Sequence, residues 1–136
     1  MSRRSVLVLF MLIAVLGTVA ARGGREPGEL IAPEDASEMA ITGDALLVDV
    51  RSEAAYVQGH IAGAINAPLL SIPASVDRLA EYGRTLIFYC SCPNEETSIA
   101  AADELIRQGF DDVLVLQGGL GEWVRQARPV RTGGRP

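Results

Sequence analysis

Short apolar runs alternate along this chain with stretches that carry helical signals, and this alternation constrains the fold more than any other feature. The clearest runs cover 45–50, 85–89 and 112–117, and their almost wholly apolar character is typical of strands buried on both sides of a parallel sheet. The sequence therefore predicts an α/β domain with a mainly parallel central sheet and helices on both faces. The other expected elements are strands at 30–31 and 64–66, and helices at 33–40, 53–58, 73–82, 120–127 and from the loop after residue 90 to about 108.

The chain begins with an apolar segment that we interpret as an export signal separate from the domain. Arg3 and Arg4 precede the apolar residues 6–21, and Thr18-Val19-Ala20 has the small-residue form of a cleavage site. A helix over 6–21 would be about 24 Å long, which is shorter than a hydrocarbon core of about 30 Å. This favours a cleaved signal peptide, with an uncleaved anchor that attaches the domain to a membrane as the alternative. In both cases the domain is exported, to the periplasm or another extracytoplasmic space.

At 136 residues the chain has room for one ordinary domain with a real core. Residues 22–29 are rich in Gly, Arg and Pro and are interpreted as a linker after the signal or anchor at 1–21. The domain is expected over 30–130, followed by a loose tail over 131–136.

The charge balance argues against nucleic acid as a partner. All 12 basic residues are arginine, and two of them, Arg3 and Arg4, lie in the N-terminal segment, which leaves ten against 17 acidic residues and a formal charge of −7. A nucleic-acid surface requires a basic stripe, which this composition does not supply.

Both cysteines of the chain lie directly after the central apolar run. Cys90 follows Tyr89, and Cys92 completes a Cys-x-Cys pair. Chemistry in parallel α/β folds sits beyond the C-terminal ends of the strands, where free N–H groups of a loop and helix can stabilise a thiolate. A Cys-x-Cys bridge closes a very small ring, so we expect it to be strained and easily reduced, not a structural staple.

Four patches in this order resemble the rhodanese-like family of single-domain sulfurtransferases. They are Asp49-Val50-Arg51, the stretch Gly59-His-Ile-Ala-Gly-Ala-Ile-Asn-Ala-Pro68, the Cys90 loop, and Gly118-Gly119 with Trp123. The resemblance covers about 30–130. It implies that Cys90 takes sulfane sulfur from a small donor, holds it as a persulfide, and passes it to a thiol or protein acceptor without a cofactor. It also implies that backbone N–H groups of the following loop cradle the sulfur.

The loop after Cys90 departs from the family pattern. Where members often carry an Arg and then a Ser, this chain has Glu95 and Glu96, and its Ser98 comes two positions later. An arginine would hold thiosulfate bidentately, whereas a glutamate repels it, so a neutral or protein-bound polysulfide is the expected donor. Both glutamates are interpreted as first-turn helix acids, with Asn94 as the N-cap. The expected cradle consists of Ser91, Cys92, Pro93, Asn94, Glu95, Glu96 and Thr97.

Several residues near this loop have more than one interpretation. Cys92 either resolves a Cys90 persulfide into a transient disulfide or merely occupies the loop. His60, the single histidine, is expected to bond to backbone near the Gly59 turn and not to act in catalysis. Asp49 and Arg51 are expected to tie loops together, with Arg51 as a candidate for the missing positive charge. Trp123 and Phe110 are expected in the core.

Four other functions compete with the persulfide sulfurtransferase. A thiol redox or sulfur-relay module would use the Cys90/Cys92 pair, and a non-catalytic interaction domain would keep only the fold. A cysteine phosphatase requires an Arg six residues after the nucleophile, and that position is Glu96. No metal site is expected, since a soft-ion site would have to recruit His60 to the two cysteines.

Overall fold

The structure, a computed structural model, describes residues 25–136. The predicted signal peptide or anchor over 1–21 and the first part of the 22–29 linker lie outside the described residues. Within 25–136 no helix has the length and apolar character needed to cross a bilayer.

Seven strands and five α-helices make up the described part of the chain. The order is β1 Leu30–Ile31, α1 Pro33–Thr42, β2 Ala45–Asp49, α2 Glu53–Gln58, β3 His60–Ile61, β4 Ile65–Asn66, α3 Ile72–Ala80, β5 Thr85–Tyr89, α4 Glu96–Arg107, β6 Val113–Leu116, α5 Gly119–Arg125 and β7 Val130–Arg131, with 3₁₀ turns at Leu69–Ser71 and Pro93–Glu95.

Five strands form one sheet in the order β1-β6-β5-β2-β4, and every neighbouring pair is parallel. The prediction of a mainly parallel sheet is confirmed. The strand β5 lies at the centre between β2 and β6, so the residue that follows it emerges at the middle of the sheet's C-terminal edge.

Helices cover both faces of the sheet, as the alternation predicts. Side chains of β2, β5 and β6 alternate between two core clusters, because successive residues of a strand point to opposite faces. One cluster packs against α3 and α4 and includes Phe88, Leu105 and Cys90. The other packs against α1 and α5 and includes Trp123. Trp123 is 3% exposed, and Phe110 packs partly buried on the first cluster.

The prediction of a loose tail over 131–136 is wrong. The strand β7 pairs antiparallel with β3, and Gly133 N–H donates to the Val57 carbonyl at 2.8 Å. A two-residue strand carries no periodicity of its own, so the pairing of β3 with β7 leaves no local signal in the sequence.

Residues 25–29 are also tied to the domain, although the sequence suggests a linker there. Gly28 N–H donates to the Val113 carbonyl at 2.6 Å, and the Glu29 carbonyl accepts from Val115 N–H at 3.0 Å. These bonds extend the contact of the β1 segment with β6 back to Gly28.

Candidate active site

Cys90 lies at the C-terminal end of β5, at the middle of the sheet edge. Its residue is 2% exposed, and it belongs to the core cluster under α3 and α4. Cys90 is held between the apolar side chains of β5, which precede it, and the loop to α4, which follows it. The strand-end position is the one the sequence predicts.

The loop after Cys90 turns tightly before α4 begins. Asn94 and Glu95 both adopt left-handed backbone conformations, with φ of 53° and 55°. Left-handed backbone is strained for residues with a Cβ, least so for Asn. Asn94 is therefore a turn residue and not the N-cap that the sequence suggests. Glu95 occupies the cap position, and of the two glutamates only Glu96 lies in the first turn of the helix.

Cys90 and Cys92 are joined in a disulfide. Their Cα atoms are 5.7 Å apart, which is within the usual range for a bridge. The left-handed residues that follow Cys92 reverse the chain. The disulfide that one of the two interpretations of Cys92 requires as a transient state is thus the state that the structure contains.

Helix α4 directs the backbone N–H of its second residue, Thr97, at Cys92. Thr97 N–H lies 3.4 Å from the Cys92 sulfur, and the Thr97 hydroxyl lies at the same distance. Among the described residues, Thr97 supplies the backbone N–H that reaches a sulfur, and none reaches the sulfur of Cys90. Of the loop that the family resemblance predicts as a cradle, the structure thus brings one backbone N–H, that of Thr97, to Cys92.

The sulfur of Cys90 has a different neighbour. Ser98, which is fully buried, places its hydroxyl oxygen 3.4 Å from the Cys90 sulfur. The same hydroxyl donates to the Glu95 carbonyl at 3.0 Å. Because a hydroxyl has a single proton, it can donate to the carbonyl or to the Cys90 sulfur but not to both. Sequence reasoning noted Ser98 only as displaced from the family position, because its contact with Cys90 depends on the path of the loop.

The Gly118-Gly119 turn supports the cysteine loop from the side. Leu120 N–H donates to the Cys90 carbonyl at 2.9 Å, and the Glu95 carboxylate accepts from Gly118 N–H. A Cβ on Gly119 would overlap the Cys90 carbonyl oxygen, and Gly119 has a φ of +52°. The turn therefore requires glycine at this position for close approach to the active-site backbone as well as for its conformation.

Asp49 and Arg51 form a buried ion pair beside the site. The Arg51 guanidinium donates to both carboxylate oxygens of Asp49, at 3.0 and 2.6 Å for the nearest pairs, and to the Gly59 carbonyl at 2.6 Å. Burial lowers the pKa of Arg51, but the hydrogen bond and charge of Asp49 raise it above the ordinary value. The guanidinium is thus committed to Asp49 and the Gly59 turn, and it joins loops together.

Tyr89, which sequence reasoning missed, connects this pair to β3. Its hydroxyl accepts from Ile61 N–H at 3.1 Å, and Asp49 lies opposite it in the register of β2 and β5. Burial and the negative charge of Asp49 raise the pKa of the Tyr89 phenol well above its ordinary value. A tyrosine at the end of an apolar run gives no sign in the sequence of such a network.

His60 is fully buried, and its hydrogen bonds go to backbone carbonyls and not to the cysteines. Its Nδ1 lies 2.8 Å from the Tyr56 carbonyl and its Nε2 3.0 Å from the Arg135 carbonyl. Its ring stacks on Tyr56 with centroids 3.7 Å apart. Both nitrogens thus face backbone carbonyls, one of them in the C-terminal segment. Within 25–136 no group of three or more His, Cys, Asp or Glu residues is placed to hold a metal ion.

The remaining loop residues differ in exposure. Ser91, Pro93, Asn94 and Glu96 are exposed, and Glu95 is half-buried. A groove of about 420 Å³ beside the loop has Glu34, Glu95 and Glu122 on its walls, so its mouth is acidic. A larger groove of about 630 Å³, between α2, α3 and the C-terminal segment, is lined by neither cysteine.

Comparisons with known proteins agree with this fold. A family model described as a rhodanese-like domain matches residues 32–126. A sulfurtransferase of Allochromatium vinosum is 35% identical over 92 residues, which are 68% of this chain and 83% of that protein. The thiosulfate sulfurtransferase GlpE of Pseudomonas fluorescens is 38% identical over 93 residues, 68% of this chain and 82% of that protein.

Solved structures are similar over the same region. A protein of Bacillus halodurans superimposes with a TM-score of 0.69 at 29% identity, covering 79% of each chain. A rhodanese-like domain of an Anabaena protein superimposes with a TM-score of 0.65 at 26% identity, covering 81% of this chain and 82% of that one.

Proposed function

The chain belongs to the rhodanese-like domain family, and on that premise we propose that it is a sulfurtransferase which carries sulfane sulfur as a persulfide on Cys90. The observation that carries the proposal is the position of Cys90 at the centre of the sheet's C-terminal edge, in front of the loop to α4. Relatives that match about two thirds of this chain are named sulfurtransferases, which supports the reaction class.

The acidic surroundings of the loop support a donor other than thiosulfate. Glu95 and Glu96 lie in the loop and first turn, and Glu34 and Glu122 line the groove beside it. Two like charges about 4 Å apart in water cost about 1 kcal/mol, so these carboxylates oppose a dianion. A neutral or protein-bound polysulfide meets no such opposition.

The test is to load the reduced full-length chain with thiosulfate, inorganic polysulfide or glutathione persulfide in turn. Mass spectrometry of the Cys92→Ser variant, which lacks the competing thiol, should find one added sulfur atom on Cys90 with glutathione persulfide, whose reacting form R–S–SH is uncharged at the transferred sulfur. Inorganic polysulfide is itself an anion and, like thiosulfate, tests the effect of the loop charge. Cys90→Ser is the blank. If no donor adds sulfur to Cys90, and neither cyanide nor a thiol then recovers any, the proposal fails.

The role of the loop charge has its own test. Glu96→Gln should raise the rate of loading from thiosulfate about two- to fivefold, since Glu96 is exposed and makes no side-chain bond that holds the loop. Glu38→Gln in α1, an exposed residue outside the loop, is the charge-matched control. If Glu96→Gln and Glu38→Gln load from thiosulfate at equal rates, the charge of the loop does not determine which donor is used.

The disulfide favours a second candidate, a module that exchanges dithiols and disulfides without carrying sulfur. It predicts that, in the absence of any sulfur donor, the Cys90–Cys92 disulfide oxidises one equivalent of a small dithiol while it is itself reduced to two thiols, and that Cys92→Ser, which has no disulfide, oxidises none. Equal oxidation of the dithiol by that variant would exclude the candidate.

We also propose that the domain is exported, with membrane association through 6–21 if the segment is not cleaved. The support is the sequence of the N-terminal segment. The test is to prepare intact spheroplasts from cells that express the full chain and to add protease to them. The protease should degrade the domain. Protection from the protease until lysis would contradict export.

A further inference from the structure

We infer that Cys92 is a resolving nucleophile, stabilised as a thiolate by Thr97 at the start of α4, and that it converts the Cys90 persulfide into the Cys90–Cys92 disulfide with release of hydrosulfide. The inference rests on the proposed persulfide at Cys90 and states what becomes of its sulfur. It makes the chain a sulfide-releasing enzyme that needs a dithiol reductant.

The two cysteines are not equivalent, because α4 faces Cys92. Thr97 is the second residue of this 12-residue helix, and its N–H is one of the donors that lack a partner within the helix. This N–H and the Thr97 hydroxyl both lie 3.4 Å from the Cys92 sulfur. The Thr97 N–H and the positive end of the helix dipole stabilise negative charge on that sulfur, and the Thr97 hydroxyl lies close enough to turn its proton toward a thiolate.

Cys90 lacks comparable stabilisation. It is 2% exposed and packed in the apolar cluster under α3 and α4, where an unpaired charge is costly. Within 25–136 the Ser98 hydroxyl is the polar group that contacts the Cys90 sulfur, and it already donates to the Glu95 carbonyl. Cys90 therefore carries charge only while it attacks the donor, and once it holds the outer sulfur, the Cys92 thiolate is the attacking group and the Cys90 sulfur is the atom attacked.

The loop brings the sulfur atoms of Cys90 and Cys92 within bonding reach of each other. The two sulfur atoms are bonded while Cys92 keeps both contacts with Thr97. Glu95 holds the far side of the loop through its bond from Gly118 N–H. The same loop conformation thus brings Cys92 to Cys90 and supplies the donors that make it a nucleophile.

The reaction balances in two steps. The Cys90 thiolate first takes the outer sulfur of a hydropersulfide, R–S–SH, and the thiolate R–S⁻ leaves. The Cys92 thiolate then attacks the Cys90 sulfur, the bond between that sulfur and the outer sulfur breaks, and the outer sulfur leaves as HS⁻ with its proton and the bonding electron pair. The two protein thiolates are oxidised to the disulfide and the sulfane sulfur is reduced to hydrosulfide. An external dithiol must reduce the disulfide before the next turnover.

The inference is tested by a single turnover of the full-length chain, reduced, freed of reductant and mixed with one equivalent of glutathione persulfide. Wild type should release one hydrosulfide per chain and end as the Cys90–Cys92 disulfide with no added sulfur. Cys92→Ser should hold one added sulfur on Cys90 and release no hydrosulfide.

Two failures are distinguishable. If Cys92→Ser loads Cys90 but wild type also stops at the persulfide, with Cys92 still open to alkylation, the inference is overturned and the persulfide proposal stands. If no variant ever gains sulfur on Cys90, the proposed function is overturned with it.

The role of Thr97 as a positioning residue has a separate readout. Thr97→Val removes the hydroxyl but keeps the N–H, and it should slow hydrosulfide release about tenfold. In a Cys90→Ser background it should raise the pH at which iodoacetamide alkylation of Cys92 is half-maximal. Thr97→Ser should restore both values, and Thr132→Val, an exposed threonine outside the site, should change neither. If Thr97→Val leaves both readouts at wild-type values, Thr97 has no such role.

Discussion

Replacing Gly119 by Ala tests whether the close approach of the Gly-Gly turn holds the active-site backbone. An added Cβ would overlap the Cys90 carbonyl oxygen, and the backbone φ of +52° is unfavourable for any residue with a Cβ. A left-handed conformation costs Ala about 1–2 kcal/mol. Moving the carbonyl away also weakens its bond from Leu120 N–H, which contributes about 1 kcal/mol. The smaller entropy of the unfolded chain offsets about 0.4–1 kcal/mol of this.

The expected net effect of Gly119→Ala is a loss of about 2 kcal/mol in the free energy of unfolding. Gly121 is the matched control, since it lies in the same helix without a left-handed φ, and a methyl group added there would have no atom within 4 Å. Gly121→Ala should raise the free energy of unfolding by up to about 1 kcal/mol, because Ala favours helix.

Urea unfolding of the full chain, followed by the fluorescence of the single tryptophan, Trp123, measures both variants. The slope with urea should stay constant while the midpoint of Gly119→Ala falls. The rate of persulfide loading on Cys90 should fall as well, since the carbonyl that must move belongs to that residue. Equal midpoints for the two glycine variants would refute the steric argument. A lowered midpoint with unchanged loading would show that the turn supports the fold but does not position the sulfur.

Three further perturbations have defined outcomes. Asp49→Asn leaves the largely buried Arg51 without its ion partner. It should lower the free energy of unfolding, measured in urea, by about 3 kcal/mol. A loss below about 1 kcal/mol would mean that the ion pair behaves as an exposed one. The raised pKa of Tyr89 means that the folded chain favours the neutral phenol. This contribution to the free energy of unfolding is fully present below about pH 10, the pKa of a tyrosine in the unfolded chain. Above that pH it is lost at about 1.4 kcal/mol per pH unit. Tyr89→Phe should flatten the alkaline slope of a urea-unfolding series, and an unchanged slope would assign it to other groups. His60→Ala removes the ring that contacts the C-terminal segment and should speed trypsin cleavage after Arg131, whereas an unchanged cleavage rate would show that β7 holds the segment alone.

The sequence alone determined the architecture and the position of the reactive residue. The runs around β2, β5 and β6 predict buried parallel strands because a strand covered on both faces must be apolar on both, and this property is local. The place of Cys90 at the end of β5 follows from the same run. The Gly-Gly pair is visible in the sequence, but the reason for Gly119 is its contact with Cys90, 29 positions earlier in the chain.

Only the tertiary structure decided how the loop uses its two sulfur atoms and what the C-terminal segment does. Cys92 receives the donors of Thr97 because Asn94 and Glu95 take left-handed conformations, and Glu95 is held by a bond from Gly118 N–H. The expected N-cap at Asn94 and loose tail fail for the same reason. Loop conformations and two-residue strand pairs are stabilised by partners distant in sequence, so the local pattern of residues does not encode them.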